Sequence, residues 1–383
     1  MTASASPRIT PASSKRDQKI FRLLPDRLHG SYPAYIPMLR MSVAAVLDRK
    51  RNPYWKSAEA CEWIAWRGSQ AVGRIGACVD EHLKGVMPGM GAVGFFDCED
   101  DAETARALFA TAESWLKERG ITHARGPLNY CIHDTAGVLV EGFDTPPAID
   151  TTWNPSYYGA LFEQAGYIGA MDMLATAGPL EYGGPNRLEK FANLARKRGV
   201  TVRTLDYSDF DAEAERLRVV YNEAWSENWG HVPIPKDEFL HKARDMKMIM
   251  HRDLVMLAEK DGDIVGLVLL IPDLNTVSKR FGGKLLPFGW WHLLRAKHVE
   301  SRVRCVLLGV VPSHRVRGTV ALLLEEVYTH GLKRYHTWAE ASWVLADNKS
   351  MLNALALHHM VPYKRWRLYE KALAETAPQA ATE

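Results

Sequence analysis

Two stretches of the chain repeat one pattern of apolar and polar positions. Glu62 to Trp66 and Ala71 to Val79 are short apolar runs around the polar break Gly68-Ser69-Gln70, and Leu254 to Ala258 and Ile264 to Ile271 flank Asp261-Gly262-Asp263 in the same way. Each pair predicts a β-hairpin. Both return strands begin with a Val-Gly step, Val72-Gly73 and Val265-Gly266. Laying Gly94-Phe95-Phe96 on Gly309-Val310-Val311 extends the correspondence without gaps, because an apolar strand ends there in both copies and a helix follows. Leu108, Phe109, Ala112, Trp115 and Leu116 fall at helical spacing before Gly120, as do Val320, Leu323, Leu324 and Val327 before Gly331. Asn154-Pro155-Ser156 and Asn348-Lys349-Ser350 each predict the N-cap of a further helix. The first copy carries an insertion from Arg125 to Thr152.

A repeat of this length predicts a fold built twice. The expectation is an α/β protein, with an α+β mixed sheet, in two related halves at residues 18–178 and 199–373, joined near Gly178 to Gly199. Residues 1–17 read as a disordered lead and 374–383 as a polar tail.

Composition narrows the class. The 383 residues are 47% hydrophobic and 24% charged, which is globular and excludes disordered, collagenous and coiled-coil chains. With 48 Lys and Arg against 45 Asp and Glu, the net charge of +3 excludes a globally basic nucleic-acid coat, and no DNA partner is expected. The five cysteines Cys61, Cys78, Cys98, Cys131 and Cys305 have neither disulfide nor zinc spacing, and the histidines have no ligand spacing, so no metal is expected. A reducing cytoplasm is the simplest setting. No run approaches the ~18 apolar residues of a membrane span, and the first residues lack a signal-peptide core.

The two copies differ in the loop between strand and helix, where exposed backbone N–H groups and the helix dipole favour an anion. In the second copy it reads Pro312-Ser313-His314-Arg315-Val316-Arg317-Gly318-Thr319-Val320, with two guanidiniums and a glycine that admits a phosphate to the backbone. In the first it reads Asp97-Cys98-Glu99-Asp100-Asp101-Ala102-Glu103-Thr104-Ala105, whose carboxylates repel a diphosphate and cap their own helix. Only the second half is expected to hold a phosphorylated cofactor.

Arg315, Gly318 and the strand before them resemble the GNAT superfamily of acyl-CoA-dependent N-acyltransferases, whose loop runs Arg or Gln, two residues, Gly, one residue, then Gly or Ala. Val320 stands where that pattern has a small residue, with Ala321 one place later. The resemblance implies two GNAT-like halves, only the C-terminal one with a cofactor loop, and acyl-CoA as co-substrate with no prosthetic group. It implies that N–H groups of Val316, Arg317, Gly318 and Thr319, with Arg315 and Asn348, hold the cofactor, and that the backbone of Leu308, Gly309 and Val310 faces the thioester. Gly126-Pro127-Leu128-Asn129, Gly142-Phe143-Asp144-Thr145-Pro146-Pro147, Tyr221-Asn222-Glu223-Ala224-Trp225, Asn228-Trp229-Gly230 and Ser342-Trp343 extend it over most of residues 18–373, to tandem GNAT proteins similar to bacterial ceramide synthases, which acylate a long-chain amino ketone or amino alcohol.

N-acyl transfer needs a neutral amine, donors for a developing oxyanion and a proton for the leaving thiolate. Glu340, a carboxylate within the apolar run Trp338 to Trp343, is the candidate base, against the reading of a structural ion pair. Many GNAT enzymes carry a tyrosine acid in the helix after the Asn segment; here that helix has none, and His358 nearby and Tyr369 in a following strand, which also holds Tyr363, are the candidate acids. Glu223, Asn228 and His231, after an amphipathic helix, are candidate acceptor contacts. Leu285 to Leu294, interrupted by Pro287 and Gly289 and flanked by Lys279, Arg280, Lys284, Arg295 and Lys297, reads as an interfacial segment able to touch a membrane, or as a helix covering the core.

These features favour an acyl-CoA-dependent N-acyltransferase acting on a sphingoid base, 3-oxosphinganine or sphinganine, with an acyl carrier protein as an alternative donor. The same fold would also suit an aminoacyl-tRNA-dependent transferase, a small-amine acyltransferase or a non-catalytic acyl-CoA sensor.

Overall fold

A computed structural model describes residues 6–180, 185–284, 289–292, 295, 301–315, 318–332, 337–356 and 358–373. The chain forms two compact units, one of residues 1–37, 54–172 and 365–383, the other of residues 38–53 and 173–364.

The first unit begins earlier than the hydrophobic pattern indicates. β1 (Arg8–Pro11) pairs antiparallel with β2 (Ala58–Arg67), and the Trp66 indole donates to the Thr10 hydroxyl at 2.8 Å. α1 (Lys15–His29) follows, its start fixed by a capping box between Ser14 and Asp17. The lead expected to be disordered up to residue 17 is therefore ordered from Arg8, because backbone pairing and a cap need no apolar run. β2 turns into β3 (Gln70–Asp80), which pairs with β4 (Met90–Cys98). α2 (Ala102–Lys117) crosses over to β5 (His123–Gly126), the one strand parallel to β4, and Asp101 caps that helix by accepting from the Glu103 and Thr104 N–H groups. The acidic loop thus serves its own helix. β6 (Val138–Glu141) and α3 (Tyr158–Gln164) complete the unit; Phe96 stacks on Phe109 at 4.7 Å in its core, with Phe162 against both.

Asn154 does not cap α3. Its amide accepts from Leu139 N–H at 2.7 Å and donates to Leu139 C=O at 3.1 Å, imitating a strand partner for β6. The helix begins instead at Tyr158, with no side-chain cap.

The second unit repeats the plan. β7 (Ile168–Pro179) leads to α4 (Pro185–Lys197), β8 (Thr201–Thr204) and α5 (Phe210–Ala224). The hairpin of β9 (Val255–Lys260) and β10 (Asp263–Pro272) turns through Asp261 and Gly262, both at positive φ as a tight two-residue turn demands. β11 (Arg302–Val310) is antiparallel to β10; α6 (Thr319–Val327) crosses to β12 (Trp338–Leu345), parallel to β11, and α7 (Lys349–Ala356) precedes β13 (Val361–Ala372). Leu108 of α2 and Leu323 of α6 fall at equal places in the repeat, and each approaches a glycine of a hairpin's return strand, Gly73 and Gly266.

The last strands are exchanged. β7 pairs with β12 through residues 173–179, and β13 pairs with β5 and β6 through residues 365–372. The compact units therefore do not follow the contiguous division at residues 178 and 199: each borrows a strand that the repeat assigns to the other. The polar tail, residues 374–383, lies outside the described residues.

Candidate functional site

The parallel pair β11 and β12 stays in register only from Arg302↔Trp338 to Cys305↔Ala341. A bulge then displaces β11, since Leu270 faces Cys305 while Leu269 faces Leu307, and β12 shifts against β7 between Ala341 and Val344. Beyond the bulge Val306, Leu307, Leu308 and Gly309 are half-buried in mid-strand, as expected where a neighbour has departed. Backbone N–H groups alternate sides along an antiparallel strand. Val311 N–H donates to Val265 C=O, so Gly309, two residues earlier, also faces β10. Leu308 and Val310 consequently turn their N–H groups to the side β12 has left. Of the three backbone positions expected at a thioester, Leu308 and Val310 face that side and Gly309 faces β10.

The first unit has the same parallel pair with its splay filled. Leu128 N–H donates to Val93 C=O, Phe95 N–H donates to the Asn129 amide oxygen at 2.6 Å, and a Cβ on Gly94 would stand 1.7 Å from Leu128 O. Gly309, the counterpart of Gly94, meets no such loop; the Trp225 indole covers it instead.

Glu340 sits at the root of the splay in the second unit and is fully buried. One carboxylate oxygen accepts from the Ser342 hydroxyl at 2.5 Å and the other from the Tyr363 phenol. Arg304, opposite Glu340 in the parallel register, donates to the Ser342 hydroxyl at 2.8 Å and to the Ser342 carbonyl at 3.1 Å. Burial, and then the Glu340 charge, push the Tyr363 phenol far above its ordinary range, so it remains protonated. Tyr363 is half-buried and forms the outer end of this chain of groups. Glu340 thus has a structural setting and, through Tyr363, a route for a proton.

The loop after β11 is built around Gly318, whose φ is +88° and whose Cβ, were there one, would lie 2.0 Å from the Phe191 carbonyl of α4. Only glycine fits, and it starts α6. Thr319 is buried, its hydroxyl 3.4 Å from His314 C=O. Arg315 is engaged by the protein itself: it donates to Val310 C=O at 3.2 Å, to Ala224 C=O at 2.7 Å and to the Glu227 carboxylate, fastening the end of α5 to the loop. Val316 and Arg317 lie outside the described residues. Asn348 accepts from Met351 N–H at 3.1 Å and so caps α7.

The remaining sequence candidates are dispersed. Tyr369 belongs to the first unit, where its ring stacks on Phe162 at 5.1 Å and its hydroxyl donates to Glu163 at 3.5 Å; burial and then Glu163 push it up to about 12. The tyrosine that meets Glu340 is Tyr363. His358 follows α7, half-buried, its pKa lowered by burial and then by His359. His231 is likewise lowered by burial and lies beside the Tyr221 ring at 6.2 Å. Asn228 closes a turn by accepting from His231 N–H, and Glu223 is exposed at the end of α5. Asn222 holds this loop, accepting from Ile234 N–H at 2.9 Å and donating to its carbonyl at 3.1 Å. Of the apolar run at 285–294, residues 285–288, 293 and 294 lie outside the described residues, whereas Trp290 and Trp291 are 46% and 59% exposed. Arg304 escaped the sequence reading, as did the part Ser342 plays beside Glu340. An arginine flanked by Val303 and Cys305 in an interior strand was the available signal, since such a charge requires a partner.

A mixed-sheet unit with a splayed parallel pair, present twice in one chain, is the tandem GNAT fold, and this chain is an acyltransferase of that class. It belongs to the family of the bacterial ceramide synthase of Caulobacter vibrioides (strain NA1000 / CB15N), to which it is 36% identical over 379 residues, 97% of each chain. Protein YghO of Escherichia coli (strain K12) is 34% identical over 375 residues, 94% of each chain. Among solved structures, the tandem GNAT protein from the clavulanic acid biosynthesis pathway matches with a TM-score of 0.57 at 14% identity, over 97% of this chain and 100% of that one. A GCN5-related N-acetyltransferase from Sphaerobacter thermophilus matches at 0.56 and 15%, over 99% of both. No protein-family model matches the chain.

Proposed function

We propose that the second unit transfers a long-chain acyl group from acyl-CoA to the amine of a sphingoid base, 3-oxosphinganine or sphinganine. The observation that carries this reading is the Glu340–Tyr363 pair at the root of the β11/β12 splay, braced by Ser342 and Arg304. The Leu308 and Val310 N–H groups stabilise the oxyanion as the amine attacks. Tyr363 passes its proton to Glu340 while accepting one from the amine; as the C–S bond breaks with its electron pair on sulfur, the proton held by Glu340 returns through Tyr363 to the leaving thiolate, so the phenol is never ionised. The Gly318 turn and the first N–H groups of α6 receive the pyrophosphate. The similarity to a ceramide synthase over nearly the whole chain supports a long-chain acceptor.

Exposed Trp290 and Trp291, with exposed Lys279, Arg280 and Arg295 nearby in sequence, support contact with a membrane surface from which such an acceptor would come. Among the described residues no helix is long and apolar enough to cross a membrane. The test is mass spectrometry of products from a long-chain acyl-CoA and a mixture of sphinganine, 3-oxosphinganine and small amines. An N-acylated sphingoid base is expected; acylation of the small amines alone would overturn the lipid assignment.

A further inference from the structure

One helix face beside the Gly318 turn is exposed among the described residues. α4 is held to α6 by Arg196, which pairs with Glu325 and Glu326 at 2.7 Å each, while Ala192 and Ala195 are buried. Its opposite face presents Lys190, Leu194 and Lys197 at the i, i+4 and i+7 spacing of one helical stripe, with Phe191 beside Leu194 and Arg198 in the turn just after the helix. Phe191 and Leu194 are 54% and 39% exposed, the three cations are exposed around them, and among the described residues no carboxylate shares the stripe. The Phe191 carbonyl is the atom that abuts Gly318, so at Phe191 the helix that carries this stripe adjoins the start of α6.

Resting on the acyl-transfer reading above, we propose that this face docks an acidic acyl carrier protein, whose phosphopantetheine thioester enters the same β11/β12 splay as an alternative to acyl-CoA. The two donors share the pantetheine arm and differ in what lies beyond it. A free nucleotide has no use for two exposed apolar side chains, whereas a protein interface combines a small apolar centre with a charged rim. A bilayer also attracts cations, but a helix lying on lipid presents an apolar face along its length; among the described residues the apolar part here is Phe191 and Leu194. In the transfer the amine nitrogen bonds to the thioester carbonyl carbon, the C–S bond breaks with its electron pair on sulfur, and the proton lost by the amine ends on the phosphopantetheine thiol.

The experiment compares kcat/KM on sphinganine for one acyl chain presented either on a bacterial acyl carrier protein or on CoA, in the wild-type chain and in Lys190→Glu/Lys197→Glu/Arg198→Glu. The altered residues are exposed, and circular dichroism verifies the fold. The proposal expects turnover with both donors, with charge reversal lowering the carrier-protein value about tenfold or more and leaving the CoA value within about twofold. The wild-type rate with the carrier protein should fall with added salt more steeply than the CoA rate. Turnover with CoA and none with the carrier protein would overturn the docking proposal alone. Equal losses with both donors would overturn it in favour of a nucleotide contact, and a loss only of binding to anionic phosphatidylglycerol vesicles in favour of a lipid face. No product from either donor would instead sink the acyl-transfer reading on which the proposal rests.

Discussion

At the scale of single residues the proposed chemistry rests on a phenol and a carboxylate that share one hydrogen bond. Tyr363→Phe removes the donor and the outer end of the proton route while Ser342 still holds Glu340, so kcat should fall about tenfold or more with acyl-CoA affinity unchanged. Steady-state kinetics with calorimetry checks this; an unaltered kcat would make Tyr363 structural. Two histidines in the same unit bear on stability. Burial lowers the pKa of both His231 and His358, so each binds its proton more readily in the unfolded chain. Their contribution is present above the unfolded value near 6.5 and is lost as pH falls toward the lowered folded values. Denaturation midpoints should drop as the pH falls below about 6.5, and His358→Gln should make that slope shallower. A slope identical to the wild type would show that His358 is not among the groups responsible.

At the scale of elements, the α4 backbone and the Gly318 turn constrain each other. An alanine at 318 would need φ near +88° and would press its Cβ on the Phe191 carbonyl, so Gly318→Ala should cost about 1–3 kcal/mol, read as a lowered thermal midpoint. Gly318→Asp is then no clean probe of phosphate binding, since it would disturb the fold as well. A wild-type midpoint for Gly318→Ala would show that α4 yields at that contact. The hairpins and crossover helices were legible in the sequence because apolar periodicity and turn residues such as Asp261-Gly262 act locally. The pairing of β1 was not, since Arg8 to Pro11 carries no apolar run and is held by backbone bonds. Asn154 and Asn348 looked alike as caps, yet only Asn348 caps; Asn154 is claimed by Leu139, a partner set by the insertion rather than by its neighbours. Glu340 was legible as a carboxylate in an apolar strand. Its partner was not, because Tyr363 and Tyr369 share one strand parity and only the exchange of strands between units separates them.

At the scale of the whole molecule, one repeat has kept its splay and the other has closed it with Leu128 and Asn129. This difference, with Asp101 and its neighbours occupying the first loop, is the reason the chemistry is proposed for the second unit. On that proposal the acceptor comes from a membrane surface. Trp290→Ala/Trp291→Ala is expected to weaken binding to anionic vesicles about tenfold in a flotation assay while leaving acylation of a detergent-dispersed amine intact; undiminished vesicle binding would remove these tryptophans from the account. The most direct measurement of the central claim is the rate of N-acylsphinganine formation by the wild-type chain and by Glu340→Gln, followed by mass spectrometry with acyl-CoA affinity measured on the same samples. The account predicts a loss of about 10²–10⁴-fold in rate with affinity preserved. A Glu340→Gln protein that turns over at the wild-type rate would contradict it.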